Sequence, residues 1–377
     1  MAATILVPDH WSSIQAGIDA ARNGDVVTVR PGTYREQLDF QGKAIVLQGS
    51  GARRTVINGS SLGSHVRGAM VQFHQGEGPD TVLDGFTITG RKDGAHHPGG
   101  IDCVQSSPTI IRCIIKGNEG AGIECDRFAA PTITDCTITK NRGSWGGGIY
   151  CVNSEPTITE CTITENLASL GGGIYCFGSS PTLSNCSISG NGGGGIYCYL
   201  SDPTLANCFI SGNESLTSGA GLYCSYSSPE LTNCVINGNR GEQLGGGAYA
   251  ADSSPRFTYC TIFDNYAEEG GGIYSEQTTT LYGCIVWGNG PSDSREQNLS
   301  TAFCNIEGGY TGQGNIEADP QFVSYRDFHY LLAAGSPCID AGSGEISDGI
   351  RWPSWYPNGR RSDMGAWGGP DAVGWLR

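Results

Sequence analysis

Pro156-Thr-Ile-Thr-Glu-Cys161-Thr-Ile-Thr-Glu-Asn166, followed after a short loop by Gly171-Gly-Gly-Ile-Tyr-Cys176, is one unit of a repeat. It holds three β segments of three to five residues, divided by Pro, Asn and Gly turns. None of them is long enough for a helix. The unit recurs along the chain. One cysteine series runs Cys113, Cys136, Cys161, Cys186, Cys208, Cys234, Cys260, Cys284, with gaps of 23, 25, 25, 22, 26, 26 and 24. A second runs Cys103, Cys125, Cys151, Cys176, Cys198, Cys224 and continues as Ala250 and Ser275. Asn118, Asn141, Asn166, Asn191, Asn213, Asn239, Asn265 and Asn289 keep the same rhythm. Three short strands in a period of 22 to 26 describe one coil of a β-solenoid, and eight such coils run from about residue 100 to 290. Stacked at about 4.8 Å, the coils pair their backbones as parallel ladders.

Side chains alternate across a strand, which assigns the faces. Cys161 and Ile163 point inward, Thr162 and Thr164 outward; Ile174 and Cys176 point inward, Tyr175 and Phe177 outward. Both cysteine series therefore line the core, as stacked small hydrophobes or as disulfides between neighbouring coils. Cys304 and Cys338 fall outside both series and can pair with each other. The Asn column is expected to bond the next coil's turn and to take the turn's αL backbone.

Working outward, Ile14, Ile18 and Ala21 fall at helical spacing after Ser12 or Ser13 as N-cap, so residues 12–22 read as a short helix covering the solenoid's first edge. Residues 26–90 form irregular early coils. The expected division is a β-helix over 1–290 and a loop-rich cap or tail over 291–377, with Trp352, Trp355, Trp367 and Trp375. Ala2 follows Met1 directly and a strand-like run, Thr4 to Val7, begins at once, as in a mature secreted chain given a start Met. The 377 residues include 59 glycines without a Gly-X-Y period, which excludes collagen. The net charge of −15 argues against nucleic acid and anionic membranes, and no apolar run is long enough to span a bilayer.

Three segments carry a resemblance: Trp11-Ser-Ser-Ile-Gln-Ala-Gly-Ile-Asp-Ala-Ala21 with Gly24-Asp-Val-Val-Thr-Val-Arg-Pro-Gly-Thr-Tyr34; Thr81-Val-Leu-Asp-Gly-Phe-Thr-Ile88; and the tail's Ala318-Asp-Pro-Gln-Phe322, Gly335-Ser-Pro-Cys-Ile-Asp-Ala-Gly342 and Asp363-Met-Gly-Ala366. With the coils, they resemble the right-handed parallel β-helix superfamily, the pectate-lyase-like fold, and within it secreted bacterial β-helix repeat proteins. The resemblance implies an all-β, right-handed parallel β-helix. Function is less specified, since the superfamily holds lyases, glycosidases, epimerases, adhesins and stalks.

One column changes chemistry without changing period. The outward residue before the second cysteine reads Asp102, Glu124, Tyr150, Tyr175, Tyr197, Tyr223, Tyr249, Tyr274; two positions on stand Val104, Asp126, Val152, Phe177, Tyr199 and Ser225. Asp102, Glu124 and Asp126 thus share one face, where mutual repulsion raises a pKa or recruits a cation. Three carboxylates suit Ca²⁺. The resemblance adds that β-helix lyases use such a site on a uronate, with a basic residue nearby. Arg127, Lys116 and the loop residues Arg91 and Lys92 are the basic candidates, and His96 and His97 belong to that loop. The expected catalytic set is Asp102, Glu124, Asp126, Arg127 and Lys116. The expected substrate contacts are Tyr150, Tyr175, Phe177, Tyr197, Tyr199, His96 and His97. The expected function is an extracellular polysaccharide lyase or glycoside hydrolase acting as a monomer along this face. A non-catalytic surface or glycan-binding repeat protein is the alternative. Outward Thr pairs such as Thr137/Thr139 and Thr162/Thr164 add ice binding as a further alternative, although that array breaks at Phe209, Val235 and Trp287.

Overall fold

The structure, a computed structural model, describes residues 3–62, 68–90, 99–291, 298–325, 328–344, 348, 361–369 and 372. Its contacts divide the chain into two compact units, residues 1–182 with 186–196 and residues 183–185 with 197–377.

The first unit opens with the helix Ile14–Ala20 between the parallel strands Thr4–Val7 and Val26–Val29. Ser13 is the N-cap: its Oγ accepts the Ala16 N–H at 3.1 Å. Glu36 accepts the Ile14 and Gln15 N–H groups, both at 2.9 Å, completing the helix start. Ile14 and Ile18 are fully buried. A Cβ at Gly17 would stand 3.0 Å from Val7 and 3.1 Å from Val27, so glycine lets the helix close onto these strands as their cap.

Each later coil contributes one strand to each of three parallel sheets. In the first unit, sheet 1 runs from Thr4–Val7 to Thr157–Thr159, sheet 2 from Leu38–Asp39 to Ile174–Phe177, and sheet 3 from Gly32–Tyr34 to Ser187–Ser189. Pairing is in register, so like side chains stack. Ile101, Ile123, Ile149 and Ile174 form one row, and Ile115, Ile138, Ile163 and Ile188 another; all are buried. This is the inward face that alternation assigns.

The Asn column is a buried amide ladder. Asn118 Nδ2 donates to Asn141 Oδ1 at 3.0 Å, Asn141 to Asn166 at 3.1 Å and Asn166 to Asn191 at 3.1 Å. Each Oδ1 also accepts the backbone N–H of the asparagine one coil earlier. The expectation of αL backbone at these asparagines is corrected by one position. The left-handed residues are those just before them: Gly117, Lys140, Glu165 and Gly190. That residue reverses the chain, which frees the next side chain to point inward.

The second unit repeats the architecture. Its sheet 3 runs from Phe209–Ser211 to Asn305–Ile306, and its sheet 2 includes Leu222–Ser225, Ala248–Ala251 and Ile273–Ser275. Its amide ladder joins Asn213, Asn239, Asn265 and Asn289. All sixteen cysteines are buried free thiols, so the disulfide alternatives fall away. Cys304 is not outside the ladder: its Sγ accepts the Cys284 N–H at 3.4 Å, as Cys284 Sγ does from Cys260. Cys338 instead meets Asn305 Nδ2 at 3.0 Å.

The tail of this unit folds back on sheet 3. Trp367 packs with Leu331, Ala372 and Phe209, while Met364, Leu332 and Cys338 cluster on Ile285 beside Trp287. Asn233 Nδ2 donates to the Ala366 carbonyl and the Ala366 N–H to Thr261 Oγ1. The outward Thr array gives way to Phe209 and Trp287 where the tail packs on them. Trp352, Trp355 and Trp375 lie outside the described residues.

Candidate functional site

Sheet 2 of the first unit carries the acidic column. Strand Ile101–Val104 pairs with Ile123–Asp126 so that Asp102 stands beside Glu124 and Val104 beside Asp126. Adjacent strands lie about 4.8 Å apart, which makes the two carboxylates neighbours. The following coils continue the column with Tyr150 and then Tyr175. In the other direction it continues through Gln72 to Asp39.

Asp102 is partly buried, and its Oδ1 is shielded from solvent without a hydrogen-bond partner among the described residues. Burial is the main force on it and raises its pKa to about 6; Asp126 adds to the shift, while His74 and Arg127 oppose it. Glu124 is raised to about 7, first by burial and then by the charges of Asp102 and Asp126. Burial, then Glu124, lift the Tyr150 hydroxyl to about 12.

The other expected residues distribute unevenly. Asp126 turns toward its own neighbour: its Oδ1 accepts the Arg127 N–H at 2.7 Å and its Oδ2 lies 3.5 Å from Arg127 Nε. Arg127 is exposed and still acts on Asp102. Lys116 is an exposed outward residue of sheet 3, paired with Thr139, and belongs to a different face from Asp102 and Glu124. His96, His97, Arg91 and Lys92 lie outside the described residues. Among the described residues no three His, Cys, Asp or Glu side chains are arranged to hold a metal ion. Asp102 and Glu124 offer the oxygen donors calcium takes, and Asp126, whose charge reaches both, is engaged with Arg127.

The tyrosines stack on one another. Tyr150 and Tyr175 have ring centroids 5.5 Å apart at 13°. In the second unit Tyr197 and Tyr223 lie 4.5 Å apart at 7°, Tyr223 and Tyr249 5.1 Å, and Tyr249 and Tyr274 5.9 Å. Tyr249 donates its hydroxyl to Glu276 at 2.7 Å, and Tyr199 meets Tyr226 edge-on. Ring faces used against each other are closed to a sugar, and Tyr175 and Tyr249 are each only 9% exposed. The ladder therefore presents mainly edges and hydroxyls. More open aromatic surface is found in the first unit at Trp145, Phe177 and Phe128.

Four residues of the first unit escape the sequence reading. Gln72 and His74 precede the cysteine columns, so only the alternation of Met70-Val-Gln-Phe-His74 could have extended the register back to them. Trp145 stacks on Tyr175 at 6.0 Å and 17° from a turn that the strand pattern leaves unread. Phe128 had a signal. Six positions separate Cys125 from Pro131, against five from Cys103 to Pro108, Cys151 to Pro156 and Cys176 to Pro181.

Stacked three-sheet coils with a chemically distinct outward column define a parallel β-helix with a surface site. The chain belongs to the family described as right-handed beta helix region, whose model matches residues 41–156, 99–258 and 147–311. No curated protein matches the sequence. Among solved structures the chain is similar to pectate lyase Pel9A, with a TM-score of 0.58 and 12% identity over 97% of this chain and 96% of that one. It is also similar to XylC, solved as a complex with xylose, with a TM-score of 0.53 and 9% identity over 86% of this chain and 87% of that one. At such identities the likeness is one of fold. Among the described residues no helix is long and apolar enough to cross a membrane.

Proposed function

We propose that the protein is a carbohydrate-active enzyme, a glycoside hydrolase working outside the cell, with Glu124 as general acid and Asp102 as its ionised partner. The observation that carries this reading is the in-register pair itself: two partly buried carboxylates on neighbouring coils, held near pKa values of about 7 and about 6. Glu124 retains a proton at neutral pH and can give it to a glycosidic oxygen. Asp102, ionised at the same pH, can take a proton from water or face the developing positive charge at the sugar carbon. Pectate lyase Pel9A and XylC with xylose, which share the fold, support a carbohydrate partner. A lyase would need strong cations to neutralise a uronate. Among the described residues the basic side chains that act on Asp102 are His74 and Arg127, and Arg127 is engaged with Asp126.

The test is reducing-end release from a polysaccharide panel, across pH, with added Ca²⁺ or a chelator. Hydrolysis should peak between about pH 6 and about pH 7, with Asp102 setting the acid limb and Glu124 the basic limb. Asp102→Asn and Glu124→Gln should each remove at least a hundredfold of the rate. Unsaturated ends that form only with Ca²⁺ would establish a calcium-dependent lyase instead. An intact panel under every condition would favour the non-catalytic repeat protein.

A further inference from the structure

Among the described residues of the first unit, Phe128 is the most exposed large apolar side chain, at 83%. It arises from the one-residue insertion between Cys125 and Pro131. The buried Ser106 and Ser154 of the neighbouring coils have Ala129 between them in the repeat, so the extra residue is pushed outward rather than into the core. Arg127 and Phe128 both take left-handed backbone, with φ of 55° and 67°. That conformation is an outlier for a bulky aromatic residue, and it fixes the ring's base two residues beyond Asp126, which stands in register beside Val104 on the Asp102 strand. The Phe128 N–H is tied to the Asn153 carbonyl at 2.7 Å, which holds the turn against the next coil. The same turn is left-handed and backbone-bonded in the neighbouring coils, at Gln105 and Asn153. What sets Phe128 apart is that it is the inserted residue, that its ring is turned to solvent, and that it follows Glu124 by four residues.

The charge around it restricts the ligand. Asp102, Glu124 and Asp126 share this face, and Arg127 is engaged with Asp126. An anionic sugar would add negative charge to negative charge. A neutral ring with a continuous C–H face would not, and it would cover the apolar area of Phe128. We infer that Phe128 is a specificity-determining residue that stacks on a neutral sugar ring of the substrate, next to the Asp102–Glu124 pair. The inference rests on the hydrolase reading for its site and goes beyond it in naming the substrate class and the residue that selects it.

Two measurements on the full chain separate the inference from that reading. In the first, protein carrying ¹³C-labelled phenylalanine rings is titrated with cello-, xylo- and mannohexaose and with oligogalacturonate. The Phe128 signal is identified by its loss in Phe128→Ala. At least one neutral oligosaccharide should shift it, and oligogalacturonate should not. In the second, kinetics on the neutral substrate should show KM raised about three- to tenfold in Phe128→Ala with kcat little changed, and recovery in Phe128→Tyr. Phe128→Gly, which relieves the left-handed backbone, should raise the melting temperature while losing the same affinity. No Phe128 shift with any neutral sugar overturns the inference, whether or not the protein hydrolyses glycans. A shift with oligogalacturonate alone overturns the neutral class. A neutral-sugar shift without any hydrolysis upholds the inference and counts against the catalytic reading.

Discussion

Asp102 and Glu124 occupy positions where the next two coils carry tyrosine, and burial resists their ionisation as it resists that of Tyr150. Their folded pKa values, about 6 and about 7, exceed the ordinary 3.8 and 4.5. The folded chain therefore keeps protons that the unfolded chain releases. The contribution of this pair to stability is highest below about pH 4, falls as pH rises through about 6 and about 7, and levels off above that. Neutral replacements escape the loss. Asp102→Asn and Glu124→Gln should each stabilise the protein by roughly 2 kcal/mol at pH 8 and by almost nothing at pH 4. Denaturant melts at the two pH values measure this, and equal effects at both would mean that the acids are not held in a partly buried field. A pair that lowers stability in its working range is the pattern expected of a site kept for function. The column and its change of residue type were legible in the sequence, because the cysteines on either side fix the register. The burial of the pair was not, since it depends on the neighbouring side chains and turns. Nor was the turning of Asp126 to Arg127, which is a local side-chain choice.

At the scale of a strand or ladder, repetition makes each inward position depend on its copies above and below. Ile174 continues the row of Ile101, Ile123 and Ile149 in the first unit and is fully buried. Ile174→Ala should cost about 2–5 kcal/mol, because rigid coils cannot collapse into the space left. A loss below about half a kcal/mol in denaturant melts would contradict the inward assignment. The amide ladder offers a sharper test. Asn141 Nδ2 donates to both Asn166 Oδ1 and the Ile115 carbonyl, at 3.1 and 3.0 Å. Asn141→Asp keeps the shape but sets a carboxylate against two acceptors in a dry interior. It should lose about 3 kcal/mol or more at pH 7 and recover part of that in acid, where one oxygen can donate again. Melting that does not change with pH would show that the ladder is open to water. The period, the three strands and their inward residues could be read from the sequence because alternation and stacking leave few other solutions. The left-handed position was misread by one residue, since Asn favours that conformation locally while here the residue before each ladder asparagine takes it.

On the scale of the whole molecule, a solenoid has a composition problem at any face that is covered: polar outward columns must become apolar there. The break of the Thr array at Phe209, Val235 and Trp287 was visible in the sequence, and for Phe209 and Trp287 its cause lies in chain far away in residue number, in Leu331, Met364 and Trp367. No local pattern links the two, which is why the tail's place had to come from the structure. We propose that residues 291–377 act as a cap on a β-helix of 1–290 rather than as an independent domain. Their apolar residues have their partners on sheet 3: Trp367 against Phe209, and Met364 against Ile285. Trp367 is 3% exposed, so Trp367→Ala should cost about 3–5 kcal/mol. A chain ending at residue 290 should suffer more than this substitution. It loses the last strand partners, Asn305–Ile306 beside Ile285–Trp287 and Leu299–Ala302 beside Thr279–Tyr282, and so leaves unpaired parallel edges next to uncovered apolar side chains. The full chain is expected to be monomeric in light scattering, helped by its net charge of −15. The shortened chain should associate at the same concentration and melt at a lower temperature. A monomeric fragment with unchanged melting would mean that the tail covers the solenoid without stabilising it, and the cap would have to be reassigned as a separate domain.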